Sequence, residues 1–226
     1  PVAIKITEKM LIDRGILARP YFKYINLPEA HKPKALYRST PWQKAYEVGV
    51  VGNEYRNKAF CAEILRARSY GLNSMVLVQH KAHGELLKGM LLRAGLKAEF
   101  IYGEDNQSAR SVALAALGNG GLDVLIGSTI LDVGVDVPSV GMIVLAGGGK
   151  TEVATRQRIG RGLREKKGGG PNVAFIVDAA DDHNNHIKGH YLQRRGIVKS
   201  TPGFAENVVE DFDFKALGFE RSRSAA

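Results

Sequence analysis

Apolar residues recur in short runs along the chain, and the runs change period in a regular order. Tyr21-Phe22-Lys23-Tyr24-Ile25-Asn26-Leu27 alternates enough to predict a strand, which Pro28 stops. Ser74-Met75-Val76-Leu77-Val78-Gln79 is a continuous apolar run of the kind buried on both faces of a parallel sheet. From Lys81 to Ala94 the period lengthens: Leu86, Leu87, Met90, Leu91 and Ala94 fall at helical spacing, and Gly95 supplies a C-terminal cap. Lys97–Tyr102 predicts the next strand. Gln107–Leu117 predicts a helix, capped by Asp105 and ended by Gly118-Asn119-Gly120-Gly121, and Leu122–Gly127 a further strand. Two more apolar strands follow, one after Pro138 and one at Asn172–Val177. Strands alternating with helices at this spacing imply an α/β fold of three layers, with a mainly parallel central sheet and helices on both faces. In such folds ligands collect beyond the carboxyl ends of the strands.

The flanks read differently. Thr7–Gly15 predicts a short helix, capped by Thr7. Pro28, Pro33 and Pro41 among His31, Lys32, Lys34 and Arg38 read as a basic linker. Trp42–Tyr70 predicts two helices broken near Gly49–Asn53. The second, Glu54–Tyr70, puts Phe60, Ile64 and Ala67 on one side and Arg56, Lys58, Arg66 and Arg68 elsewhere; that basic side either follows a nucleic-acid backbone or is an ordinary solvated face. Asp181–Arg195 predicts a polar helix. From Ser200 the acidic Glu210, Asp211 and Asp213, interleaved with Phe212 and Phe214, predict a tail that is weakly structured or packs on the lobe. The division expected is an N-terminal strand and basic linker region at 1–41, a core at 42–180, and a C-terminal helical or irregular extension at 181–226, within one globular domain. Lacking an initiator Met, the chain reads as a piece of a longer protein.

Charge narrows the partners. A net charge of +9 and a pI near 9.6 over 226 residues point to a polyanion, without separating nucleic acid from a membrane surface. No run of about 18 apolar residues occurs, so no membrane-spanning helix is expected. The N-terminus shows no basic-then-apolar signal segment, which predicts a cytoplasmic protein. The single cysteine, Cys61, excludes an intrachain disulfide and a Cys-rich zinc site, and its setting predicts a buried small hydrophobe.

The densest chemistry lies between Gly127 and Arg164. Arg158, Arg161 and Arg164, three residues apart on a predicted helix, keep close to one face and form a ready clamp for phosphate, the alternative being a solvated basic face. Gly160 and Gly162 each cost a helix roughly 1 kcal/mol relative to Ala, so either a close approach of the backbone to a ligand or neighbouring strand favours them, or the helix ends early. Gln157-Arg158-Ile159-Gly160-Arg161-Gly162-Leu163-Arg164 resembles motif VI of the superfamily 2 helicases. Ser128–Pro138, Ser/Thr-rich and closing on Gly-x-Asp-x-Pro, resembles their motif V.

That resemblance implies the second RecA-like lobe of an ATP-driven nucleic-acid motor. It extends over most of Phe22–Asp178 in strand and helix order. By the match, Arg161 and Arg164 are arginine fingers that stabilise charge developing on the γ-phosphate. Arg158 and Gln157 position the lobe and link nucleotide to nucleic acid. In the motif V loop that holds Gly134, Asp136 contacts the ribose or the motif VI arginines. Ser128 and Thr129 hold strand phosphates, and Gln79, His80 and Lys81, at the position of motif IV, are candidates for backbone contacts. Val133 and Leu163 depart from the family's common forms without removing a proposed phosphate ligand. The wording is most similar to DNA-remodelling helicases of phage and repair type, with RNA left open as a partner.

ATP and Mg²⁺ are expected to be held mainly by a first, N-terminal RecA-like lobe, because the chain shows no credible P-loop. Gly149-Lys150-Thr151 ends like one, but the Gly required five positions before Gly149 is Val144. The chain alone is therefore expected not to hydrolyse ATP. Asp178, Asp181 and Asp182 imitate the strand and acid that hold Mg²⁺ in nucleoside triphosphatases, and His183, His186 and His190 have spacings a metal could use; neither set is assigned a metal, nor are His80 and His83. A nucleotide-independent nucleic-acid-binding module would leave the arginine spacing unexplained. A Rossmann enzyme would need a G-x-G-x-x-G after its first strand, and none is present.

Overall fold

Strands that read as apolar throughout need cover on both faces, and the sheet supplies it. The computed structural model describes residues 7–102, 107–127, 140–149 and 170–222. In chain order the elements are α1 (Glu8–Asp13), β1 (Arg19–Asn26), α2 (Trp42–Tyr46), α3 (Glu54–Arg68), β2 (Ser74–Leu77), α4 (Lys81–Arg93) and β3 (Ala98–Ile101). There follow α5 (Gln107–Gly118), β4 (Val124–Gly127), β5 (Met142–Val144), β6 (Val173–Ala180), α6 (Asn185–Ser200) and β7 (Val208–Val209). The strands form one parallel sheet in the order β3-β4-β2-β5-β6-β1-β7.

Alternate residues of the central strands feed two cores. Val76, Ile126, Val144 and Phe175 pack against Phe60 and Ile64 of α3 and Leu87 and Leu91 of α4. Met75, Leu125, Ile143 and Ile176 face the other way, against Leu114 and Leu117 of α5 and Val198 of α6. The result is the three-layer α/β architecture that the strand and helix order implies. Gly84 lets α4 lie close on β3, since a Cβ there would stand 2.3–2.7 Å from the Phe100 ring.

Local signals explain several boundaries. Thr7 caps α1, its hydroxyl accepting from the Met10 amide at 3.3 Å. Asn53 caps α3 in the same way, accepting from the Arg56 amide at 3.1 Å. The predicted break between α2 and α3 is a π-helical turn over Glu47–Val51, followed by Gly52. The strand predicted at Tyr21–Leu27 instead begins at Arg19, because all eight residues of β1 find partners on β6.

Two expectations are sharpened by the packing. The C-terminal tail packs on the lobe: the ring centroids of Phe212 and Phe214 stand 4.9 and 4.6 Å from that of Phe175, and Asp211 pairs with Lys23 at 2.7 Å and Arg66 at 2.5 Å. On α3 it is Arg56 that departs from the basic side read there: it is fully buried, while Lys58 and Arg68 are exposed, Lys58 pairing with Glu54 and Arg68 with Asp123, and half-buried Arg66 is held by Asp211. A helical period places a residue on a face, but it does not reveal a carboxylate arriving from elsewhere in the chain. Cys61 is buried as expected, and burial pushes its thiol up to about 11.

Candidate functional site

The strands β2, β5 and β6 are neighbours, so their carboxyl ends open side by side. β2 exits through Val78 into Gln79, His80 and Lys81, which are exposed. His80 takes the N-cap position of α4 without a side-chain capping bond, and Lys81 is the first helical residue. β5 exits into Leu145–Gly149. The Leu145 amide donates to the Val177 carbonyl at 2.8 Å and the Gly147 amide to the Leu77 carbonyl at 2.7 Å. A Cβ on Gly147 would stand 2.9 Å from the Gln79 backbone nitrogen, and one on Gly149 would collide with the Gln79 side-chain amide. The glycine run therefore lies directly on the turn that carries Gln79.

Three side chains from three helices grip this loop by its carbonyls. The Tyr46 hydroxyl donates to Gly147 O at 2.6 Å, Arg56 Nη1 to Ala146 O at 2.6 Å, and Arg194 Nη1 to Gly149 O at 3.1 Å. Each arginine is itself held by a carboxylate from the end of β6. Arg56 Nε and Nη2 donate to Asp181 at 2.9 and 3.2 Å, and Arg194 Nε and Nη2 donate to Asp178 at 2.8 and 2.9 Å. Arg194 also lies 3.6 Å from Asp181. All four side chains are at least 96 % buried. Burial acts against the charge on Arg194, but the charge of Asp178, its hydrogen bonds and the charge of Asp181 hold the guanidinium above its ordinary value. Burial likewise pushes the Tyr46 phenol up to about 12, keeping it a donor.

A ladder of rings flanks the loop. His80 lies over Tyr46 at 4.6 Å between centroids, Tyr46 meets Trp42 at 5.1 Å, and Trp42 meets His190 edge-on at 4.4 Å. Of the other histidines, His183 is buried with Nε2 3.6 Å from Glu29 and 3.8 Å from Asp182, and His186 is exposed. Among the described residues no cluster of three or more His, Cys, Asp or Glu side chains is placed to hold a metal.

His83 sits beneath this face, completely buried, with Nε2 3.0 Å from Asn57 Oδ1. The Asn57 amide nitrogen donates to Val51 O, so its oxygen faces the ring and the imidazole is the donor. Burial first, then the charges of Arg56 and His80, pushes the His83 pKa down to about 3. The unfolded chain binds a proton near 6.5 and the folded chain does not, so stability from this site is full above about pH 6.5 and is lost as pH falls toward about 3. His83→Gln is expected to flatten the fall in stability between pH 6.5 and 4.5, read from denaturant midpoints at each pH.

Of the residues singled out in the sequence, Gln79, His80 and Lys81 come together at this face. Ser128, Thr129, Gly134, Asp136, Gln157, Arg158, Arg161 and Arg164 lie outside the described residues, as does the Asp105 cap. Sequence reasoning did not single out Tyr46 or Arg194, and it placed Arg56 on a basic side. The signal available was Asp178 and Asp181 at a strand end, which read as a look-alike of a metal site; the structure gives both acids arginine partners.

The parallel sheet, with a loop clamped at the carboxyl ends of its central strands, defines a RecA-like domain of the kind found in helicases. Residues 56–166 match the helicase conserved C-terminal domain family, and the chain carries a C-terminal RecA-like domain of the superfamily 2 helicases. The chain is 24% identical over 203 residues to the ATP-dependent DNA helicase uvsW of Enterobacteria phage T4, an alignment covering 85% of this chain and 40% of that protein. It is 28% identical over 122 residues to the pre-mRNA-splicing ATP-dependent RNA helicase prp28 of Neosartorya fischeri, covering 54% of this chain and 15% of that protein. The crystal structure of T4 UvsW superposes with a TM-score of 0.65 at 19% identity, over 84% of this chain and 40% of that one. The chain thus spans well under half the length of these relatives. Among the described residues no helix is long and apolar enough to cross a membrane.

Proposed function

We propose that the chain is the second motor lobe of an ATP-dependent superfamily 2 helicase or translocase acting on DNA. The observation that carries this reading is that the family match runs through Gln157–Arg164, the segment that follows the clamped loop Leu145–Gly149. Arg161 and Arg164 stabilise charge on the γ-phosphate, while Gln157, Arg158 and Asp136, in the loop with Gly134, set the geometry around the nucleotide. Ser128, Thr129, Gln79, His80 and Lys81 hold strand phosphates without reading sequence. ATP and its Mg²⁺ belong mainly to a first lobe; here Asp178 and Asp181 are engaged by arginines and do not suit a metal. DNA is favoured over RNA because the alignment to the phage DNA helicase extends over more of the chain.

The test is ATPase activity of the 226-residue chain with and without DNA, beside a DNA-binding titration over a range of salt. The expected result is weak, salt-sensitive binding without turnover, since phosphate contacts weaken as counterions compete. DNA-stimulated turnover by this chain alone would overturn the two-lobe reading.

A further inference from the structure

We infer that His80, backed by the Tyr46 ring with Trp42 and His190 behind it, is a stacking platform for an unpaired nucleobase, so that this lobe holds single-stranded DNA by a base as well as by its phosphates. The inference rests on the proposed DNA-binding role and deepens it. Phosphate contacts alone grip single and double strands alike, whereas a ring platform accepts only bases that are out of the duplex.

Four observations support the platform. The rings are contiguous, with successive centroids 4.6, 5.1 and 4.4 Å apart, and they come from three different elements, α2, α6 and the cap of α4. The ladder is anchored, because the Tyr46 hydroxyl is bonded to Gly147 O in the clamped loop and Tyr46 itself is buried. The His80 imidazole is backed by the Tyr46 ring and remains exposed, with no side-chain hydrogen bond to its helix. Lys81, next in sequence, is exposed and has no ion-pair partner among the described residues, which suits it to the phosphate beside a stacked base. A backed ring loses little freedom when a base settles on it, and base stacking on such rings contributes about 1–3 kcal/mol per base.

The test compares a 16-nucleotide oligothymidylate with an abasic strand of the same length, which carries the same phosphates without bases. Binding to the whole chain is followed by anisotropy of labelled strands and by the emission of Trp42, the sole tryptophan. The expected result is that the thymidylate strand binds about 5-fold or more tightly than the abasic strand and quenches Trp42. His80→Ala should remove most of that preference, while Lys81→Ala should weaken both strands alike. Equal affinity for the two strands, or a preference that survives His80→Ala with Trp42 emission unmoved, would overturn the platform and leave the backbone-binding role standing. Failure of every strand to bind would overturn both.

Discussion

Replacing Arg194 by methionine is expected to lower the unfolding free energy by about 3–5 kcal/mol, the cost of leaving a buried charge without its partner. Arg194 donates two side-chain hydrogen bonds to Asp178, which also accepts from the Ala179 amide at 2.8 Å, and the aspartate is nearly inaccessible to water. The same change frees the Gly149 carbonyl. The pair as a whole contributes far less than this figure, because two charges had to leave water to make it. The double variant Arg194→Met/Asp178→Asn should therefore regain a large part of the loss. Denaturant unfolding of the single and double variants measures both quantities. Additive losses in the two substitutions would show that the pair does not act as a unit.

Arg161→Ala, made in a protein that joins this lobe to its ATP-binding partner, is expected to reduce DNA-stimulated ATP hydrolysis by roughly 10³-fold or more. A finger arginine acts on charge that exists only as the γ-phosphate departs, so its removal falls on turnover and much less on nucleotide affinity. Steady-state kinetics with saturating DNA separates the two. Unchanged turnover would remove Arg161 from the finger role. An equal fall in nucleotide binding would assign it to ground-state holding instead.

The sequence disclosed the fold through its most one-sided segments. Ser74–Leu77 is buried throughout, and a run without polar interruption has few other places to sit than the middle of a parallel sheet. Leu87 and Leu91 mark the buried stripe of α4 for the same reason. The position of Gln79–Lys81 at a sheet end was legible because they follow directly on the apolar run of β2. It was illegible where a group's partner is distant: Arg56 looks like its basic helical neighbours until Asp181, 125 residues away, is brought against it. The tail was ambiguous because alternating acids and phenylalanines suit either solvent or a groove. Phe175, at the centre of the aromatic cluster, decides the matter only once β6 is in place.

The position of β1 bears on how the polypeptide reaches its native state. Arg19–Asn26 lies between β6 and β7, with Arg19 opposite Val173 and Asn26 opposite Ala180. On the ribosome, β1 must wait for β6 to emerge before its hydrogen bonds can close, and such late, long-range pairing is slow. A shortened chain that began after β1 would bare an eight-residue edge on β6, an open template for a second molecule. β1 thus covers the β6 edge and carries the boundary of the sheet one strand outward, where β7 pairs with Phe22 and Lys23.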